Sequence, residues 1–184
     1  MQMDEQLIAL VTQKVLEALG QNAPAANEAE TPEGAVKGIQ GPAMLLSEKE
    51  EAKPGSTPDE VVIGIAPAFA LSQKETICGL SHADVLREIT AGIEEEGLRT
   101  RYVRFRDISD VSFIAQRAAK FSGSGIGIGI QSKGTAVIHQ KDLFPLTNLE
   151  LFPQAPLITL DIYRRIGKNA ARYAKGQSPV PIEV

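Results

Sequence analysis

Hydrophobic positions divide the chain into a front with one helical stripe and a body in which strand-like and helix-like runs alternate. Four apolar side chains of the front recur three or four positions apart: Ile8, Val11, Val15 and Leu19. This spacing predicts an amphipathic helix within residues 1–20. A helix of about 15 residues is marginal in water unless its apolar face packs against another surface.

Residues 21–58 are rich in Pro, Gly, Ala and Glu, and their only apolar patch is Met44–Leu46. They bury too little apolar surface to offset the entropy of ordering, so we predict a flexible linker. The helix ahead of it has two interpretations: it folds back on its own domain, or it docks on another protein. The length of the linker favours docking.

In residues 59–184, short β-rich runs at 61–65, 99–105, 125–130 and 136–138 alternate with helical patterns. The helices are expected to begin at Ser81 and Ser109, as N-caps, and at about Leu157. This alternation predicts an α/β fold, a three-layer α/β/α domain with a mainly parallel sheet.

Ligands of such sheets bind beyond the carboxyl ends of the strands. Those ends are predicted at Ala66–Phe69, Arg106–Asp110 and Gln131–Gly134. Candidate binding residues are therefore sought in these three loops.

Composition excludes several classes of protein. No apolar stretch approaches the roughly 20 residues of a membrane span, so we expect no membrane partner. One cysteine, Cys78, and two histidines exclude a disulfide framework and predict no metal site.

Residues 1–60 hold 4 Lys or Arg against 11 Asp or Glu, and residues 61–184 hold 15 against 12. The body is too weakly basic for nucleic acid but suits one or two anionic groups.

The run of alternating glycines in residues 122–135 is the most unusual motif. It is neither a dinucleotide fingerprint nor a P-loop. Either a helix packs closely on the glycine face, or a large flat ligand approaches it, with Ser132–Gly134 at the polar edge of the ligand. Lys133 suits a phosphate group, whereas Asp110 either supports a helix N-terminus or binds the ligand.

No catalytic set emerges from residue spacing. His139 is expected to be structural, and His82 has no evident partner in the sequence. The residues alone therefore predict an α/β domain with a ligand-facing sheet edge and a tethered docking helix.

Several segments resemble the medium subunit of adenosylcobalamin-dependent diol dehydratase and of the related glycerol dehydratase. The most specific motifs are SGSGIGIGIQSKG at 122–134 and NLELFPQAPL at 148–157. Further segments carry the resemblance through residues 59–70, 82–105, 109–116, 122–140 and 145–174.

The resemblance implies an enzyme of large, medium and small subunits that converts 1,2-propanediol to propionaldehyde, or glycerol to 3-hydroxypropionaldehyde. Adenosylcobalamin would be shared with the large subunit, which would carry the catalytic residues and the metal, so none are expected in this chain. Family contacts to the corrin amides and the nucleotide phosphate correspond here to Asp110, Lys133, Asn148, Leu151 and Pro153.

The front is also similar to helices that direct such enzymes to a shell protein of a bacterial microcompartment. This implies a cytoplasmic protein in the lumen of that compartment, with the dehydratase-reactivating factor as a further partner.

Relatives continue beyond the last residue of this chain, so we expect it to lack the family's C-terminal segment. The alternatives are the small subunit of the reactivating chaperone and a truncated cargo-docking protein without an enzymatic role.

Overall fold

The structure, a computed structural model, describes residues 53–153 and 158–183. The helix predicted within residues 1–20, and residues 21–52 of the predicted linker, lie outside the described residues. Eight elements follow in chain order: β1 (Glu60–Ile65), α1 (His82–Glu95), β2 (Arg99–Arg104), α2 (Val111–Phe121), β3 (Ile126–Ile130), β4 (Ala136–Gln140), β5 (Glu150–Phe152) and α3 (Leu160–Ala174).

The five described strands form one sheet in the order β2-β1-β3-β4-β5. β1 pairs in parallel with β2 and β3, whereas β3 with β4 and β4 with β5 are antiparallel. The sheet is therefore mixed, and the prediction of a mainly parallel sheet is wrong. The short connection 131–135 is the reason, because it can close a hairpin but cannot cross over the sheet. Its ends join where Gln131 N donates to Thr135 O (3.0 Å).

Helices cover both faces of the sheet, which confirms the α/β class. On one face, the side chains of Ile63, Ile128 and Ile138 join the buried cluster that includes the apolar stripes of α1 and α3. On the other face, Val62 packs with Ile114 of α2. β1, β3 and β4 are covered on both faces, and their almost continuous apolar sequence follows from this. β5 was not expected, because a strand of three residues leaves too short a pattern to recognise.

Two glycines bring the backbones of α1 and α3 into direct contact. A Cβ atom at Gly92 would lie 2.0 Å from Arg164 O, and one at Gly167 would lie 2.1 Å from Ile89 O. Neither position has room for a methyl group, because the obstructing atom in each case belongs to the backbone. The two glycines therefore determine how closely the helices approach.

Ion pairs run along the outside of the α1–α3 contact, with the acids on or just after α1 and the bases on or just after α3. The pairs are Arg164–Glu88 (2.8 Å), Arg164–Glu95 (2.7 Å), Lys168–Glu95 (2.7 Å), Arg172–Glu96 (3.2 Å) and Lys175–Glu96 (2.6 Å). Hydrogen bonds from Lys168 and Lys175 lower the pKa of Glu95 and of Glu96, respectively. Such solvent-accessible pairs add little stability each but favour one alignment of the helices.

Helix α1 begins as expected after Ser81, and α3 begins at Leu160 rather than at about Leu157, but the capping contacts differ from expectation. Ser81 occupies the N-cap of α1, but its side chain makes no capping hydrogen bond. Asp110, and not Ser109, caps α2: its carboxylate accepts from the N–H groups of Ser112 (2.9 Å) and Phe113 (3.2 Å). The backbone carbonyl of Ser109 instead accepts a hydrogen bond from Gln131 Nε2 (2.9 Å).

Replacing Gly92 by Ala should destabilise the fold by about 2 kcal/mol, because the added methyl group overlaps the backbone of α3. In an unobstructed helix the same change stabilises by roughly 1 kcal/mol, so the sign of the effect is diagnostic. Urea unfolding of the full chain measures it. Glu94→Ala on the exposed side of α1 is the control and should change stability by less than about 0.5 kcal/mol. A G92A protein at least as stable as the wild type would contradict the close contact.

Candidate functional site

The carboxyl ends of β1, β2 and β3 meet at one edge of the sheet, because these strands are parallel. Three loops, 66–81, 105–110 and 131–135, follow the strands there, and we call this region the carboxyl edge. It is the edge at which sheets of this kind bind ligands.

Residues 131–135, which we call the lysine loop, are held in place by three other segments. Three consecutive carbonyl oxygens each accept one hydrogen bond: Ser132 O from His82 Nε2 (2.7 Å), Lys133 O from Ile77 N (3.0 Å) and Gly134 O from Tyr163 Oη (2.7 Å). Burial raises the pKa of Tyr163, which keeps its hydroxyl protonated as the donor. Gly134 has a φ of +109°, a conformation that favours glycine.

The side chain of Lys133 is exposed at the tip of this fixed loop. No acid or other side chain within 53–153 and 158–183 pairs with its ammonium group. The loop therefore presents a cation to solvent, and its backbone is already ordered before any ligand binds. Such an arrangement suits a phosphate group.

His82 links two loops of the carboxyl edge from inside the protein, where it is 1% exposed. Its Nδ1 accepts a hydrogen bond from Ala70 N (2.8 Å), so the ring proton must lie on Nε2, which donates to Ser132 O. The ring stacks on Phe69 with centroids 3.7 Å apart. The sequence showed no partner for His82, because both of its hydrogen-bond partners are backbone atoms.

Asp110 combines a structural contact with an available acceptor. Both capping hydrogen bonds end on Oδ1, so Oδ2 has no hydrogen-bond partner among the described residues. The expectation that Asp110 supports a helix N-terminus is confirmed. Its second oxygen remains available to an amide N–H group.

The glycine face of β3 is filled by α2. A Cβ atom would lie 2.3 Å from Ala119 N at Gly127, and 2.5 Å from Val111 O at Gly129. The packing interpretation is confirmed, and a flat ligand on this glycine face is ruled out.

Four apolar side chains, on α2, on the loop after β4 and on β5, make up what we call the apolar patch. Its side chains remain substantially exposed: Phe144 (82%), Leu146 (75%), Leu151 (52%) and Phe113 (39%). Large apolar side chains that stay exposed to this degree are candidates for an interaction surface. Only Leu151 among them was a candidate from the sequence, because the others lie in a helix or loop without a motif.

His139 holds the loop that carries much of this patch. Its ring is fully buried, with Nδ1 2.7 Å from Gln140 O and Nε2 3.1 Å from Phe144 O and 3.2 Å from Pro145 O. Gln116 of α2 adds a hydrogen bond to Leu143 O (2.7 Å). The expectation of a structural role for His139 is confirmed.

The five candidate contact residues are spread from the carboxyl edge along β5 rather than gathered at one point. Asp110 and Lys133 lie at the carboxyl edge, and Pro153 follows Phe152, which pairs with Ala136 at the same edge. Leu151 lies within β5 and Asn148 precedes it, toward the opposite end.

A family model described as "Dehydratase medium subunit" matches residues 66–180, well over half of the chain. This chain belongs to the dehydratase medium-subunit family. The matched range of this medium subunit contains the lysine loop, the apolar patch and all five candidate residues. The family also implies dehydratase subunits as partners.

Solved structures share the fold of the medium subunit. One, described as "Glycerol dehydratase reactivase", has a TM-score of 0.56 at 21% identity and covers 70% of this chain and 97% of its own. Another, a diol dehydratase-reactivating factor in complex with ADP and Mg2+, has a TM-score of 0.52 at 24% identity and covers 66% and 97%. At these identities the likeness shows the fold alone.

Within the described ranges, none of the helices has the length and apolarity needed to cross a bilayer. His, Cys, Asp and Glu side chains of these ranges do not gather in a group of three that could hold a metal ion. The features of the site are therefore an exposed cation, a free carboxylate oxygen and an apolar surface.

The stability of the medium subunit should depend on the neutral form of His82. Burial, and more weakly the charge of Lys74, lowers the pKa of His82 below its ordinary value of 6.5. The unfolded chain therefore binds an extra proton as the pH falls below about 6.5, and the free energy of unfolding decreases by up to about 1.4 kcal/mol per pH unit.

Urea unfolding at several pH values between 7.5 and 5 measures this effect, with His82→Gln as the comparison. The stability advantage of the wild type over H82Q should shrink as the pH falls. A difference that stays constant over this range would show that His82 does not titrate on unfolding.

Proposed function

We propose that this chain is the medium subunit of an adenosylcobalamin-dependent diol dehydratase, which converts 1,2-propanediol to propionaldehyde and can accept glycerol. The observation that carries the proposal is the family match over residues 66–180. The N-terminal extension ahead of residue 59 favours the propanediol enzyme, because glycerol dehydratase medium subunits generally lack so long an extension.

The surface described above fits the chemistry of cobalamin. A corrin is broad and largely apolar, with amide groups around its rim and a phosphodiester in its nucleotide arm. The apolar patch suits the ring, Lys133 suits the phosphate, and Asp110 Oδ2 suits an amide N–H group. The domain thus offers an apolar surface, a cation and an acceptor, which are the three kinds of contact that this cofactor requires.

In this proposal the chain binds and orients the cofactor, and the large subunit performs the chemistry. Adenosylcobalamin, when bound, supplies the radical chemistry of the reaction. Lys133 neutralises the phosphate charge, and Asp110 accepts from an amide. Leu151 and Pro153 exclude water along β5, and Asn148 offers an amide to the rim.

The partners follow from the same surface. The large subunit would cover the apolar patch together with the cofactor, because Phe144 and Leu146 are too exposed to be favourable in water. The small subunit and the reactivating factor complete the expected set of partners. The fold likeness to reactivases does not favour the chaperone alternative, since it lies below 25% identity and the family model is that of the medium subunit.

Residues 1–20 are proposed to dock on a shell protein of a bacterial microcompartment, which would place the enzyme in the lumen of that compartment within the cytoplasm. The sequence supports this through the apolar stripe of the helix and the Pro- and Ala-rich segment that separates it from the domain.

The first test is co-expression with the large and small dehydratase subunits, affinity purification and an absorbance spectrum for bound cobalamin. The wild-type chain should co-purify with both subunits and with a corrin spectrum. Lys133→Ala should keep the subunits together but lower cobalamin affinity by about tenfold, the value of one charge-assisted contact.

Lys120→Ala is the matched control, since Lys120 is an exposed lysine in the last turn of α2, at the end of the helix opposite Asp110. It should leave retention unchanged. A wild-type chain that does not associate with the other subunits would overturn the proposed function. Equal retention by K133A and the wild type would remove Lys133 from the site.

Deleting residues 1–20 tests the targeting proposal. The purified complex should keep its dehydratase activity, because a long linker separates the helix from the domain, and association with isolated shells should be lost. Sedimentation of the enzyme with shells measures this. Retained association would show that another segment docks, and loss of the complex would assign the helix to the enzyme core.

A further inference from the structure

We infer that His82 is a positioning residue for the lysine loop: it acts on ligand binding through Ser132 and Lys133 without touching the ligand. This inference rests on the proposed function only for the identity of the ligand. The anchoring of the loop follows from hydrogen bonds within the domain.

The side chain of His82 is almost completely buried. At 1% exposure its ring cannot contact a ligand outside the domain, yet its Nε2 lies 2.7 Å from the carbonyl oxygen next to Lys133 in sequence. The opposite ring nitrogen accepts from Ala70 N, in the loop after β1. His82 therefore connects two of the three loops of the carboxyl edge, and only its neutral Nε2–H form makes both bonds.

The surrounding structure holds the ring in this orientation. Phe69 stacks on it with an interplanar angle of 8°. Ala70 has a φ of +58°, the one positive φ of a described residue other than glycine. A non-glycine residue keeps such a conformation only where its surroundings impose it, and the hydrogen bond from Ala70 N to His82 Nδ1 does so here.

Loss of the His82 bond has a specific consequence for Lys133. Ser132 is buried, so its carbonyl oxygen would lack both water and a partner, and the loop would have to turn to satisfy it. The loop keeps other hydrogen bonds, at Gln131, at the carbonyl of Lys133 and at the carbonyl of Gly134, but none of them reaches the carbonyl of Ser132. Lys133 follows the freed carbonyl directly, so its backbone would turn with that peptide and the ordered presentation of its side chain would be lost.

Two substitutions separate the two hydrogen bonds of His82. The amide of Asn ends near the position of Nδ1, so His82→Asn keeps an acceptor for Ala70 N and loses the donor to Ser132. The longer Gln reaches the position of Nε2, so His82→Gln keeps the donor and loses the acceptor. If His82 acts through Ser132, the lysine loop of H82Q should match that of the wild type and the lysine loop of H82N should not, whatever each change costs in overall stability.

Limited trypsin digestion of the full chain measures how well the lysine loop is ordered, because trypsin cleaves after lysine and the loop contains Lys133. Cleavage after Lys133 should be about tenfold faster in H82N and nearly unchanged in H82Q, while cleavage after the exposed Lys141 stays the same in both. Equal rates at Lys133 in H82N and the wild type would overturn the proposal. An equal increase at Lys133 and Lys141 would also overturn it, because that result indicates general unfolding.

Cobalamin retention by the co-expressed complex gives the second readout. H82N should lower the affinity about tenfold when Lys133 is present and have no further effect in the K133A background, since its action passes through Lys133. An equal loss in both backgrounds would contradict the inference. If K133A itself has no effect, the proposed cofactor contact fails, and the trypsin result still decides whether His82 anchors the loop.

Discussion

The backbone contact between α1 and α3 is the constraint on which the rest of the domain depends. Gly92 and Gly167 allow the two helices to touch, and α1 carries His82 near its start while α3 carries Tyr163. Both side chains hold the lysine loop from the same face of the sheet. A wider separation of the helices would move these two anchors apart, so a packing feature far from the loop determines where Lys133 is presented.

On the opposite face of the sheet, two glycines again allow a helix to pack directly against its neighbour. Gly127 and Gly129 seat α2 directly on β3, and the N-terminus of that helix places Asp110 at the carboxyl edge. Because α2 lies over β1, β3 and β4, the α2 side of β5 stays uncovered and Leu151 remains exposed. The exposure of Leu151 is thus a consequence of which strands the helix covers.

The fold and the function have different sources of support in this protein. Reactivase structures share the fold at about 21–24% identity, so the fold alone does not separate an enzyme subunit from a chaperone. The family match over residues 66–180 makes that distinction. The ammonium group of Lys133 and Oδ2 of Asp110 have no hydrogen-bond partner among the described residues, so both remain available to a ligand.

The sequence by itself determined the order of the principal helices and strands, since the burial of Ile63, Ile89 and Ile166 follows patterns readable along the chain. It also pointed to Lys133 and Asp110 through their positions after strands. The short connection 131–135 already required β3 and β4 to pair antiparallel. The tertiary structure alone decided that β1 lies between β2 and β3, because apolar strands read alike whatever their neighbours. It also decided the partners of His82 and the exposure of Phe144 and Leu146, because these depend on backbone atoms and neighbours distant in the chain.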